Sequence, residues 1–210
     1  MSILETDWQS LLSPDSDLPP DVLFAVQGEQ VGAHKLFLAG VSPVFKGMFY
    51  GPMKETAKVI EVEETTFEAF DTMVTYIYHP KSEAPFNLSH IRCPQKLFEL
   101  LTLATKYQIL SLASMAADTL EGLTLVRENM IFTATVARNY KNAFEDLSIK
   151  LMMKCIKFLL DTTIGGGDIL ALVKETKENF PEASFDILHD MRVVASTVLE
   201  LPGTFFQNNF

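Results

Sequence analysis

Apolar residues recur along this chain with two different periods, and the changes of period divide it into elements. Ile3, Leu4, Trp8, Leu11 and Leu12 have helical spacing, and the turn-rich run SPDSDLPP then separates them from the first strand signal. DVLFAV is β-branched, aromatic and apolar at both parities (Val22, Phe24 and Val26 against Leu23 and Ala25), the pattern of a buried strand. QGEQ turns the chain, and Val31 to His34 reads as the returning strand of a hairpin. From Lys35 the period is helical, with Leu36, Phe37, Leu38, Val41, Val44, Phe45, Met48 and Phe49 reading as core. Ser42-Pro43 starts a helix, because serine caps it and proline lacks only an N–H that has no partner there. Gly51-Pro52 stops that helix.

KVIEV at 58–62 predicts a second short strand region. TTFEAFDTMVTYIYHP opens with a capping box, Thr65 with Glu68, and carries Phe67, Phe70, Val74, Ile77 and Tyr78 on one side until Pro80. Residues 79–96 form a polar, proline-marked loop with a short strand expected around Phe86–Leu88. Leu97, Leu100, Leu101, Ala104 and Tyr107 are spaced i, i+3, i+4, i+7 and i+10, and another helix covers roughly 111–121 before Gly122. Residues 21–122 therefore read as an α+β domain, preceded by an N-terminal helix and linker at 1–20.

Past Gly122 the strand signals disappear. Leu147, Leu151, Cys155 and Leu159 step by four along one helix, the glycines at 165–167 break it, and further helices are expected at roughly 168–179 and 182–199. Residues 123–200 read as an all-α segment and 201–210 as a tail.

Composition narrows what such a protein does. The formal net charge is −10 and no basic run exceeds two residues, which argues against a nucleic-acid partner. No apolar stretch reaches the roughly 18 residues a membrane-spanning helix needs, and residues 1–20 lack a secretion signal. Cys93 and Cys155 are far apart in sequence and read most simply as free thiols. The expectation is a soluble intracellular protein, in the cytoplasm or also the nucleus.

Catalytic chemistry finds no foothold. His34 has no nucleophile placed beside it by motif, so it reads as a structural histidine at a strand end. No His or Cys spacing suits a metal, and the glycines at 165–167 lack phosphate-loop spacing, so no cofactor is expected. Glu61, Glu63 and Glu64 read as a solvated edge.

A resemblance adds to this reading. Asp21-Val22 before a hairpin, Ala33-His34-Lys35, Ser42-Pro43-Val44-Phe45 and Met48-Phe49-Tyr50-Gly51 together resemble a BTB (POZ) domain. YIY at 76–78 and LLTLATKYQI at 100–109 continue the pattern, with a 79–96 loop longer than usual. MFYG is similar to BTB proteins that carry a BACK segment and a PHR domain, and LVRENMIFTATVARNY at 125–140 looks like the start of a BACK helical region. The resemblance implies the BTB/POZ fold, a small sheet with a helical cluster, followed by a BACK-like all-α segment. It implies a non-catalytic interaction module that forms a homodimer through its N-terminal helix, here Leu4, Trp8, Leu11 and Leu12. It further implies, for a subset of the family, binding to cullin-3 as substrate adaptor of a ubiquitin ligase, through a hydrophobic-x-Glu motif after the helix that begins Ser-Pro. Met53-Lys54-Glu55 matches that motif, with Tyr50 and Tyr107 as candidate neighbours on the same surface. No substrate-recognition domain is visible in the sequence, and the substrate is an unspecified protein. The alternative is an oligomerisation scaffold that recruits transcriptional or cytoskeletal partners without cullin.

Two readings compete at each of these residues. Met53 is either a flexible filler of its own domain's core or an anchor for a partner's pocket, and its place after Gly-Pro puts it outside the helix period. Glu55 either caps or salt-bridges locally or serves a partner, and Tyr107 either lines the same surface as Tyr50 or, by its helical period, packs in its own core. Trp8, Leu11 and Leu12 belong either to a self-packed N-terminal helix or to a dimer seam, and a short amphipathic helix alone is marginal in water.

Overall fold

The computed structural model describes residues 11, 12, 16, 18–79 and 85–164. The chain divides into one unit over Met1–Thr119 and a second over Leu120–Phe210.

In the first unit, β1 (Val22–Val26) is the middle strand of a sheet ordered β2-β1-β3. The two apolar parities of DVLFAV have this cause: Val22, Phe24 and Val26 are fully buried on one face, while Leu23 and Ala25 are half-buried on the other. β2 (Glu29–Ala33) returns antiparallel in the register Phe24↔Val31. The turn is tighter than QGEQ suggests, only Gln27-Gly28, both with positive φ (51° and 86°), as a two-residue hairpin turn requires. Gln27 is not wasted there, since its Oε1 accepts the N–H of Phe67, an end group that has no partner within its own helix. β3 (Val59–Val62) lies parallel to β1 in the register Phe24↔Ile60.

The stretch between β2 and β3 is two short helices, α1 (Lys35–Val41) and α2 (Pro43–Tyr50). Ser42 separates them as expected, its Oγ accepting the Phe45 N–H at 3.1 Å. The expected core in this stretch is too generous. Leu38, Phe45 and Phe49 are buried, Phe37, Val44 and Met48 are half-buried, and Leu36 and Val41 are exposed. Breaking the chain at Ser42 rotates each short helix separately, so no single apolar stripe spans both.

α3 (Phe67–Tyr78) buries Phe70, Met73, Val74, Ile77 and Tyr78 and packs against α4 (Pro94–Lys106) and α1. Its cap is Thr66, whose Oγ1 accepts the Ala69 N–H, and not Thr65 as the sequence suggests. Thr65 Oγ1 is buried without a hydrogen-bond partner, and Glu68 pairs with Lys96 at 2.7 Å. No strand forms at 86–88: these residues are irregular, with Leu88 buried and Phe86 edge-on to the Tyr76 ring at 5.1 Å. α5 (Leu110–Gly122) comes next.

In the second unit α6 (Arg127–Asn139) packs with α7 (Glu145–Ile164). Met130, Ala134 and Ala137 are buried on α6, and Leu147, Leu151 and Cys155 on α7. The Lys154 ammonium donates to the carbonyls of Glu121 (2.7 Å) and Leu123 (2.5 Å), end groups that the finishing helix leaves unpaired. The glycines at 165–167, the helices expected at 168–179 and 182–199, and the tail at 201–210 lie outside the described residues.

Candidate protein-binding site

The core beneath α2 is a cluster of aromatic rings. Phe24 meets Phe70 at 4.9 Å and Phe45 at 5.8 Å, and Phe45 stacks on Tyr107 with centroids 4.3 Å apart and planes 18° apart. The Ser42 hydroxyl donates to the Tyr107 carbonyl at 2.6 Å, tying the start of α2 to the end of α4. α2 is thus held at its N-terminus by a buried hydrogen bond and along its length by Phe45 and Phe49.

Its C-terminus projects a built turn. The Gly51 N–H donates to the Gly47 carbonyl (2.9 Å), and the Glu55 N–H reaches back to the Met48 carbonyl (2.7 Å). A Cβ on Gly51 would collide with the Gly47 carbonyl oxygen, so glycine is required by close approach. Within this turn Met53 is 93% exposed and Tyr50 58% exposed. Met53 therefore does not fill its own core. Glu55 is exposed, and its Oε1 accepts the Ala57 N–H at 2.7 Å, which is the local-cap reading of that residue. A partner that takes this carboxylate displaces one exposed backbone bond.

Tyr107 is placed elsewhere. At 5% exposure, with its ring on Phe45 and edge-on to Phe70 (6.3 Å), it belongs to the core, and burial pushes its phenol pKa up. Its ring is spent on holding α2 and is not offered beside Met53. Leu4 and Trp8 lie outside the described residues, whereas Leu11 and Leu12 form a half-buried helical turn.

His34 is a structural joint. Tyr78 Oη accepts the His34 backbone N–H (2.7 Å) and lies 2.8 Å from Nδ1, while Nε2 lies 3.0 Å from the Leu18 carbonyl. A neutral ring protonated on Nε2 satisfies every contact: the hydroxyl donates to Nδ1, and Nε2–H donates to Leu18. Among the described residues no group of three or more His, Cys, Asp or Glu side chains is placed to hold a metal, and no helix is long and apolar enough to cross a membrane.

This sheet and its helical cluster make the first unit an α+β domain. A family model described as the BTB/POZ domain matches residues 13–122, more than half of the 210 residues, and the chain belongs to the BTB/POZ family. TD and POZ domain-containing protein 2 of Mus musculus is 35% identical over 132 residues, covering 62% of this chain and 32% of the relative. BTB/POZ domain-containing protein 9 of Bos taurus is 27% identical over 205 residues, covering 86% of this chain and 33% of the relative. The chain thus spans about a third of the length of these curated relatives. Coverage of 86% cannot come from the first 122 of 210 residues, so the second similarity runs into the helices beyond them. Among solved structures, the BTB domain of zebrafish PATZ1 is similar at 23% identity and a TM-score of 0.37, covering 47% of this chain and 73% of that one.

Proposed function

We propose that this BTB/POZ interaction module is a non-catalytic substrate adaptor that binds cullin-3 through the turn after α2. The observation that carries the reading is Met53, 93% exposed on a turn that two backbone hydrogen bonds fix to α2. An apolar side chain held out to solvent in a defined position is a binding anchor in wait. Burying it in a partner's pocket contributes about 1.5–3 kcal/mol, the scale of an interface hot spot. Glu55 supplies the charge two residues on, and Tyr50, exposed at the end of α2, supplies the flanking aromatic contact. Tyr107 acts from beneath, by holding α2. The protein works as a homodimer, with Leu4, Trp8, Leu11 and Leu12 in the seam. The helices after residue 122 form a BACK-like segment, a reading supported by the similarity that continues past the BTB match.

The test is co-purification of the full chain with the N-terminal region of cullin-3. Wild type is expected to bind, and Met53→Ala combined with Glu55→Ala is expected to lose binding. Absence of wild-type binding at micromolar concentrations leaves the cullin-free scaffold as the reading.

A further inference from the structure

We propose that the outer edge of β3 docks an extended, basic segment of another protein, which joins the sheet as a fourth strand. Among the described residues the sheet order β2-β1-β3 leaves β3 with a neighbour on one side only. In a parallel pair, the N–H and C=O of a given residue point to the same side and successive residues alternate. The Leu23 N–H donates to the Lys58 carbonyl, and Leu23 is in register with Val59. That turns the Ile60 groups toward β1 and leaves the N–H and C=O of both Val59 and Glu61 facing outward. None of these outward groups takes part in a hydrogen bond among the described residues.

The edge carries neither a proline nor a bulge, two common guards against added strands. Its guard is charge. Glu61 and Glu63 stand exposed on the solvent face with Val59 (40% exposed), and Glu64, at φ 61°, takes the chain out of the strand. Such a guard is selective. A second copy pairing edge to edge would bring two sets of Glu61, Glu63 and Glu64 together on chains of net charge −10, and the run 58–64 holds one lysine against those three glutamates. A strand with lysine or arginine opposite Glu61 and Glu63, and with its alternate apolar residues on the face shared with Ile60 and Val62, gains where a second copy loses. Charge complementarity therefore favours a basic partner segment, with backbone pairing supplying the affinity and the alternating side chains the specificity.

The probe is a fluorescein-labelled heptapeptide alternating lysine and valine, titrated into the full chain and followed by fluorescence anisotropy. Saturable binding is expected, weakened at least about tenfold by Glu61→Lys with Glu63→Lys. N-methylating the peptide on one alternate set of amides is expected to weaken binding similarly, and on the other set to leave it unchanged, with the protein left wild type. Val59→Pro removes one outward N–H at a strand start, where proline is tolerated, and is expected to weaken binding too. Met53→Ala is expected to leave peptide binding intact, which separates this edge from the proposed cullin surface. Equal binding by all the methylated peptides would mean general attraction to an acidic chain and overturn the proposal. So would no binding at about millimolar peptide, or a solution mass that falls when Glu61 and Glu63 are reversed, which would assign the edge to a second copy.

Discussion

The side chain of Ser42 and the backbone of Tyr107, 65 residues apart, share a 2.6 Å hydrogen bond inside the first unit. The same hydroxyl accepts the Phe45 N–H, so one buried oxygen both caps α2 and fastens it to the end of α4. Ser42→Ala removes the cap and leaves a carbonyl in need of a partner, and is expected to cost about 1–3 kcal/mol in urea unfolding. A loss below about 0.5 kcal/mol would show that the joint is incidental.

Met53 and Tyr107 are expected to separate stability from binding. Met53→Ala changes an exposed side chain and should shift stability by no more than about 0.5 kcal/mol while weakening the proposed partner. Tyr107→Ala empties a site between Phe45 and Phe70 and should cost about 3–5 kcal/mol. If both variants lose partner binding, only Tyr107→Ala is expected to lose it through a lower melting temperature.

The two threonines before α3 make opposite predictions. Thr66→Ala removes the cap and is expected to cost about 1 kcal/mol. Thr65→Val replaces a buried hydroxyl that has no partner and should be neutral or stabilising. Thermal melts of the two variants side by side decide it, and a larger loss at Thr65 would restore the cap read from the sequence.

Burial pushes the Tyr78 phenol from 10.0 up to about 12, with the hydrogen bond from the His34 backbone N–H pulling the other way. The fold therefore prefers the protonated form. In the unfolded chain the phenol ionises near pH 10, so this contribution is whole below pH 10 and is lost as the pH climbs toward 12. Tyr107 is raised in the same direction, so wild type and Tyr78→Phe must be compared. The alkaline fall in unfolding free energy should be shallower in the variant, and equal slopes would refute the assignment.

Cys155 is fully buried, its thiol donates to the Met130 carbonyl at 3.6 Å, and burial pushes it up to about 12. Cys93 is half-exposed and free. A thiol reagent in native buffer is expected to label Cys93 promptly and Cys155 only on unfolding. Equal rates would mean that α6 and α7 open readily.

Local chemistry in the sequence was enough for the hairpin, for Ser42-Pro43 as a helix start, for Gly51-Pro52 as its stop and for the buried stripe of α4. Each obeys a neighbour-to-neighbour rule: positive φ at a two-residue turn, a side chain capping an N–H three residues on, an apolar residue every third or fourth position. The candidate turn was legible too, because Met53 falls outside the helix period. What sequence left open was decided by distant partners. That Met53 is exposed and Tyr107 buried depends on how α2 lies against α4, through a bond between residues 42 and 107. Thr66 takes the cap while Thr65 Oγ1 is left without a partner, a choice that two adjacent threonines do not reveal in sequence. That β3 is an edge strand among the described residues depends on its parallel pairing with β1, which two separate strand signals do not specify. Periodicity reports which face of an element is apolar; only packing fixes which other element covers that face, and so which groups are left for a partner.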